Sequence, residues 1–261
     1  MPAINDKASI QQQYANAEGL QIRRMLHQKY SINKQPYDEW ISGHYQIQPG
    51  MKVLEVGCGT GVSWKDAKRW LPDDASLMLT DFSEGMLETA RANVPNQPNI
   101  TFAQVDIQQI PYENDSFDLV IANAMLYHVP DLDKAIREVA RVLKPEGRFI
   151  CSTTGDNGMH QWFQRVLGTG ESPAMPFSLQ NGSASLEKHF SNADMRMRED
   201  GLEVTDVHDL AAYVRSTISF GYIREWPVDE LIARLSAQAL DGIIRIPKEY
   251  GLFICTGPKK A

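Results

Sequence analysis

The stretch Val53-Leu-Glu-Val-Gly-Cys-Gly-Thr-Gly61 decides how this chain folds. From Met51 to Val56 the residues have the apolar content and length of a short buried strand. Three glycines follow at alternate positions, Gly57, Gly59 and Gly61. Glycine reaches positive φ without a side-chain penalty and lets a ligand come close to the backbone. A helix is predicted from Val62 to Leu71, whose first turn would offer unspent N–H groups and a partial positive charge. Glu55 closes the strand, and Cys58 lies inside the turn. The stretch therefore reads as a strand, a turn and a helix arranged to receive a small molecule.

Two ligand classes compete for such a turn. A dinucleotide site calls for Gly-x-Gly-x-x-Gly with the pyrophosphate on the helix N-terminus. Here the third glycine comes one residue early, and Glu55 would repel phosphates. A ligand with an amino acid group suits the residues better. Its ammonium can face the acid while its carboxylate takes the N–H groups. S-adenosylmethionine (SAM) has both groups and no phosphate. Glu-Val-Gly-Cys-Gly-Thr-Gly resembles the first motif of the class I SAM-dependent methyltransferases, in particular the type 11-like group acting on small molecules. A plain strand-to-helix turn is the competing reading of the glycines alone.

Further motifs follow in order. Ser76 to Asp81 reads as a second strand, with Asp81 at its carboxyl end about 20 residues past Gly61, where an acid can hold two ribose hydroxyls. Its other reading is a cap for the helix from Ser83 to Arg91, a role that Ser83 already fills. Phe82 and Met86 would pack on ribose or adenine, or belong to the core. Ile100 to Val105 reads as the third strand. The resemblance implies that Asp106 accepts from the adenine amino group and that Ile107 lies against the ring. Phe117 to Asn123 is the fourth strand. By the same resemblance, Asn123 stands near the methionine end of the cofactor, and Tyr127 and His128 near the methyl group. His128 is a candidate general base, since histidine titrates closest to neutrality, or it orders the turn before the helix from Asp131 to Leu143. Lys144-Pro-Glu-Gly147 ends that helix, and Arg148 to Thr154 is the fifth strand. The resemblance covers about 100 residues, Met51 to Thr154.

Composition sets limits around these motifs. The chain has 261 residues, 43% of them hydrophobic, enough for one α/β domain with additions. A net charge of −7 and the lack of a Lys/Arg run argue against nucleic acid as a partner. Cys58, Cys151 and Cys255 are too scattered for a disulfide framework or a zinc site, which fits a reducing cytoplasm. No stretch approaches the ~18 apolar residues of a membrane span, and no signal-like run opens the chain. No metal-ligand spacing is visible.

Residues 1–48 read as an N-terminal helical cover: a helix from 8 to about 30, a break at Ser31 to Pro36, and a short helix carrying Tyr37, Trp40, Ile41 and Tyr45. Resemblance places Tyr14 near the cofactor; on periodicity alone it is a core-facing aromatic. The Tyr30 to Lys34 break is a further candidate for lining the cleft. Residues 49–261 would form the methyltransferase domain, with a cap insertion around 155–192. That insertion contains a helix near Gly158 to Leu167. His160, Trp162 and Phe163 would be cap residues or a small apolar cluster. Strands at Met195 to Val204 and Tyr250 to Thr256, with helices at Asp206 to Phe220 and Val228 to Leu240, complete the pattern. The expected fold is α/β: a Rossmann-like, seven-stranded, mostly parallel sheet with helices on both faces and the last strand antiparallel.

The expected reaction is in-line methyl transfer from SAM to a small-molecule acceptor, leaving S-adenosylhomocysteine. A monomer or homodimer would suffice. The Asn/Asp-Pro-Pro-Tyr/Phe run of enzymes acting on base or protein amines is missing after the fourth strand. Two rivals stay open: a non-catalytic SAM-binding or S-adenosylhomocysteine-binding regulator, and an NAD-dependent oxidoreductase.

Overall fold

A computed structural model describes residues 18–168 and 175–260. Tyr14 lies outside the described residues. Among the described residues, seven strands form one sheet: β1 (Lys52–Val56), β2 (Ser76–Asp81), β3 (Ile100–Gln104), β4 (Phe117–Asn123), β5 (Leu143–Thr154), β6 (Phe190–Val204) and β7 (Ile244–Pro258). Their spatial order is β3-β2-β1-β4-β5-β7-β6. β1 pairs in parallel with β2 and β4, β2 with β3, and β4 with β5; β7 runs antiparallel to both β5 and β6. The carboxyl ends of β1 to β5 thus lie along one edge, where open α/β sheets take their ligands.

Helices cover both faces. In chain order they are α1 (Glu18–Tyr30), α2 (Tyr37–Ser42), α3 (Glu84–Asn93), α4 (Leu132–Val142), α5 (Met159–Leu167), α6 (Gly182–Leu186), α7 (Val207–Ser216) and α8 (Val228–Ser236). Local sequence explains their starts. Ser83 accepts from the Met86 N–H to open α3, Asp131 from Lys134 to open α4, and Asp206 from His208 to open α7. In α4, Ala135, Ile136, Val139, Ala140 and Val142 are buried, the 3.6-residue stripe of a sheet-facing helix.

Three apolar clusters follow from strand alternation. On one face Leu54, Val120, Phe149 and Phe253 pack beneath α4 and α6. On the other face Val53, Leu77, Leu79, Ile121, Ile150 and Leu252 meet Ile41 and Tyr45, at and just past the end of α2. The third cluster joins α1, α5, α7 and α8 to Leu202, Val204, Ile244 and Ile246. Those four strand residues lie beyond the last β5 partner, because Thr154 pairs with Tyr250 and the β6–β7 pairing continues to Val204 and Ile244. The β6–β7 ribbon therefore overhangs the carboxyl edge and carries its own helical layer.

Several expectations need adjusting. The predicted helix Val62 to Leu71 is instead two 3₁₀ turns, Val62–Trp64 and Ala67–Arg69. Asp66 between them is non-helical at φ −109, ψ 46. Val62, Ser63, Trp64 and Asp66 all have modest helix propensity, and the Trp64 side chain is committed elsewhere, as shown below. β6 and β7 are 15 residues each, longer than the predicted strands. The helix predicted from Asp206 to Phe220 ends at Ser216 and passes into 3₁₀ turns from Ile218 to Glu225. Trp162 and Phe163 lie in the third cluster, 6% and 0% exposed, so the apolar-cluster reading describes them. His160 stacks on Phe220 at 5.8 Å between centroids.

Candidate functional site

The glycine turn is stitched to the end of β2. The Cys58 N–H donates to the Thr80 carbonyl at 2.9 Å, and the Gly59 N–H to Asp81 Oδ2 at 2.8 Å. Cys58 is a half-buried free thiol, and burial pushes its pKa well up. Gly57, Gly59 and Gly61 have φ of 72, 56 and 65. Close approach adds a second requirement at two of them. A Cβ at Gly61 would lie 2.7 Å from Val94 Cγ2, and one at Gly57 2.9 Å from Met125 Cγ. A Cβ at Gly59 would meet only Leu20 Cδ2, at 3.9 Å. The backbone conformation thus requires all three glycines, and packing requires the outer two.

Glu55 is 3% exposed on a strand buried from its second residue onward. Trp64 Nε1–H donates to its Oε2 at 2.5 Å, and Asn123 Nδ2–H to its Oε1 at 3.0 Å. The Asn123 amide also donates to Tyr45 Oη at 2.7 Å, and Tyr45 stacks on Trp64 at 5.8 Å. Burial pushes the Glu55 pKa up to about 7; the Trp64 and Asn123 bonds oppose this, and the charges of Asp38 and Asp81 add to it. Glu55 is therefore a carboxyl group poised between its two protonation states, held by donors from β4 and from the 3₁₀ turn.

Asp81 ends β2 with both oxygens engaged: Oδ2 by Gly59 and Oδ1 by the Ser83 N–H at 2.8 Å. Burial raises its pKa, against the N–H groups of Ser83, Gly59 and Phe82. Each oxygen keeps further acceptor capacity for a hydroxyl. Phe82 is half-buried, and its carbonyl accepts from Gln104. Met86 is 1% exposed on the inner face of α3. Asp106, past the end of β3, accepts from the Gln108 backbone and side chain at 2.9 Å each. Ile107 turns inward into the first apolar cluster.

β4 and β5 close the row. Asn123 pairs with Ser152 across the sheet. Ala124 adopts a positive φ of 50, and its N–H donates to the Ser152 carbonyl and hydroxyl at 3.0 and 3.1 Å. A left-handed non-glycine residue at a strand end is a strained position held by its surroundings. A 3₁₀ turn, Leu126–His128, follows; the half-buried Tyr127 and His128 rings lie 4.5 Å apart between centroids.

The structure thus joins Asp81 to the glycine turn at Gly59 and Asn123 to Glu55 by direct hydrogen bonds, and places Asp106 one strand further along. It does not place Ile107 or Met86 on an open surface. Sequence reasoning missed the donors to Glu55. The signal was present: an acid at a fully buried strand position must find N–H or O–H partners, and the Trp64 indole is a donor close by in sequence. No group of three or more metal-ligand side chains exists among the described residues, and no described helix is long and apolar enough to cross a membrane. A cavity of about 280 Å³, lined by Lys52, Ser76 and Phe117 among others, lies at the amino ends of the strands and is remote from the glycine turn.

Comparison with known proteins bears on the family and the fold. A family model described as "Methyltransferase domain" matches residues 54–151. The methyltransferase GfsG of Streptomyces halstedii is 30% identical over 184 residues, 69% of this chain and 62% of that protein. A demethylmenaquinone methyltransferase of Staphylococcus aureus is 37% identical over 109 residues, 41% of this chain and 45% of that protein. The chain therefore spans about three fifths of the first relative's length and under half of the second's. Among solved structures, a Haemonchus contortus phosphoethanolamine N-methyltransferase 2, complexed with phosphomonomethylethanolamine and S-adenosylhomocysteine, superposes with a TM-score of 0.61. It is 17% identical and covers 99% of this chain and 61% of its own. Taken with the strand order, the glycine turn and the acids along one sheet edge, the family model and the curated relatives identify a class I SAM-dependent methyltransferase domain in this chain.

Proposed function

We propose that the protein transfers a methyl group from SAM to a small-molecule acceptor by in-line displacement. One observation carries this reading. Three acids, Glu55, Asp81 and Asp106, stand at or just past the carboxyl ends of neighbouring parallel strands around a positive-φ glycine turn. That arrangement suits a zwitterionic nucleoside and opposes a diphosphate. The N-terminal segment 1–48, with Tyr14, would cover the cofactor, and residues 155–192 would cap the acceptor.

Bound SAM would supply an activated methyl carbon. Glu55 and Asn123 would face the methionine end, where a nearby ammonium lowers the Glu55 pKa and fixes it as a carboxylate. The N–H groups of the turn at Cys58 and Gly59, with Gly57 and Gly61, would shape the floor. Asp81 would accept from ribose hydroxyls, and Asp106 from the adenine amine beside Phe82. Met86 and Ile107 would support that wall from within. His128 and Tyr127 would stand over the methyl, with His128 as base for acceptors that must lose a proton.

Calorimetry tests the cofactor: S-adenosylhomocysteine should bind and NADH should give no heat. Transfer of labelled methyl from SAM to metabolites in a cell extract tests the reaction. Binding without transfer to any fraction would favour a regulator, and an NADH response would favour the oxidoreductase.

A further inference from the structure

A second polar cluster lies where β6 and β7 overhang the sheet edge. Arg198 on β6 pairs with Tyr250 on β7, which pairs with Thr154 on β5, and Asp200 pairs with Lys248. All these positions share the face covered by α2. The side chains of Arg198 and Asp200 are 2% and 0% exposed.

The charges there do not balance. Asp200 is fully occupied: Oδ1 accepts from the Asn33 and Gly201 N–H groups at 3.1 and 2.8 Å, and Oδ2 from Ser31 Oγ at 3.1 Å and from Lys248 Nζ. Arg198 Nε is 3.8 Å from the same Oδ2, too far for a hydrogen bond. Two buried cations thus share one carboxylate. Arg198 Nη2 donates to the Gln35 carbonyl at 2.5 Å. Its Nε and Nη1 have no hydrogen-bond partner among the described residues.

Packing does not explain those donors. Trp40 and Tyr37 lie 5.7 and 6.0 Å from the guanidinium carbon, within cation–π range. Such contacts engage the faces of the guanidinium and leave its N–H edges unspent. A ring nearby also holds a buried nitrogen that is left over. His27 on α1 has Nε2 3.3 Å from Tyr250 Oη, and its buried Nδ1 has no partner among the described residues. Buried donors without acceptors are costly and rare in native proteins. Here two such atoms occur on the one Arg198 guanidinium. A cavity of about 640 Å³ opens beside them, lined by Ile32, Asn33, Met197, Arg198, Glu199, Asp200 and Lys248. It has room for a small acid.

We propose that Arg198 is the core of an oxyanion-binding site, which takes a carboxylate or phosphate group in the cleft between residues 31–35 and the β6–β7 ribbon. Lys248 supplies long-range positive charge, and Asp200 positions Lys248 and the 31–33 backbone. The site is separate from the row of acids at β1 to β3. It joins the carboxyl edge through Tyr37, which touches Tyr250 and flanks Arg198.

The test is titration of the full chain with inorganic phosphate and with acetate, against chloride at equal ionic strength, read by thermal unfolding. A saturable rise in Tm in the millimolar range with phosphate or acetate, not chloride, is expected. Arg198→Met should abolish it, and exposed Arg245→Gln should leave it intact. Asp200→Asn removes the competing carboxylate while keeping an acceptor for its two N–H donors, and should tighten phosphate binding by about fivefold. No specific rise in the wild type, or the same rise in Arg198→Met, would mean an adventitious ion only and overturn the site. Should Arg198→Met not fold, the wild-type Arg198 Nε–H resonance decides: it must shift and saturate with phosphate, and an unmoved resonance refutes the proposal. The source of the anion is read separately. Phosphate competing with the acceptor in the methyl-transfer assay would make the anion part of the acceptor; binding without competition would mark a free anion. S-adenosylhomocysteine should bind Arg198→Met as it binds the wild type. Its failure to bind either protein would sink the methyltransferase reading alone.

Discussion

The two ends of one sheet edge carry opposite charge. At β1 to β3 the polar groups are carboxylates, each supplied with N–H donors by the turn that follows its own strand or a neighbouring one. At β6 and β7 they are cations, with one carboxylate among them and unspent donors left over. Both ends are buried, so in each the surrounding hydrogen bonds decide which charge is tolerated. The first end is assembled largely from local strand-to-loop segments. The second depends on β6, β7, α1 and the 31–35 segment meeting from distant parts of the chain. Local assembly leaves a pattern in sequence; assembly at long range does not.

That contrast can be broken at the first end by its glycines. Gly61→Ala should cost about 3 kcal/mol in urea unfolding, the sum of a left-handed alanine and overpacking against Val94 and Ala90. Gly59→Ala has the same positive φ and open space, so only about 1 kcal/mol is expected. Equal losses would show that packing does not distinguish the two positions.

Glu55 sharpens it through pH. Its carboxyl is held up to about 7 in the folded chain, against 4.5 as its reference value. The native state therefore keeps a proton that the unfolded state releases, and stability falls as pH rises through the window from 4.5 to 7. Glu55→Gln should remove a loss of about 3 kcal/mol across that window, measured as the difference between the two proteins' pH profiles. Parallel profiles would show that the buried acid is already ionised. With the proposed ammonium in place, S-adenosylhomocysteine binding at pH 6 should release protons, seen as buffer-dependent heats in calorimetry.

Smaller effects follow at the edges of the site. Asp81→Ala should weaken S-adenosylhomocysteine by at least about 1 kcal/mol, and an unchanged affinity in a folded protein would remove Asp81 from the site. Asp38 accepts from Arg24 at 2.6 Å and from Ser63 at 2.7 Å, joining α1 and α2 to the turn after the glycines. Asp38→Ala should cost about 1 kcal/mol and speed proteolysis in α1; unchanged cleavage would show that this latch does not hold the cover.

The first half of the sheet was legible because its strands end in motif residues at fixed spacing. Glu55, Asp81, Asp106 and Asn123 could each be assigned to a strand end from the chain alone. Trp64 was misjudged as a helical residue, since nothing local shows that its indole answers a buried acid. Nothing in the chain singles out Arg198, inside the strand expected from Met195 to Val204, or Lys248, just ahead of the one expected from Tyr250. Arg198 meets Gln35 and Trp40, and Lys248 meets Ser31 and Asp200, all far away in sequence, and no periodicity reports such a meeting. The full length of β6 and β7 was hidden for a related reason. Their outer halves are covered by helices rather than by a second strand, so the alternation expected of a half-exposed ribbon is blurred.

β7 comes after β6 in the chain yet lies between β5 and β6 in space. β6 consequently has no strand of its own to dock on when it first emerges during synthesis. Until β7 threads into place, the parallel sheet ends at β5, and Leu202 and Val204 have no ribbon partner to present them to α1 and α7. Assembly of the anion-poor end must therefore be the later event, and hydrogen exchange during refolding should protect β1, β4 and β5 before β6.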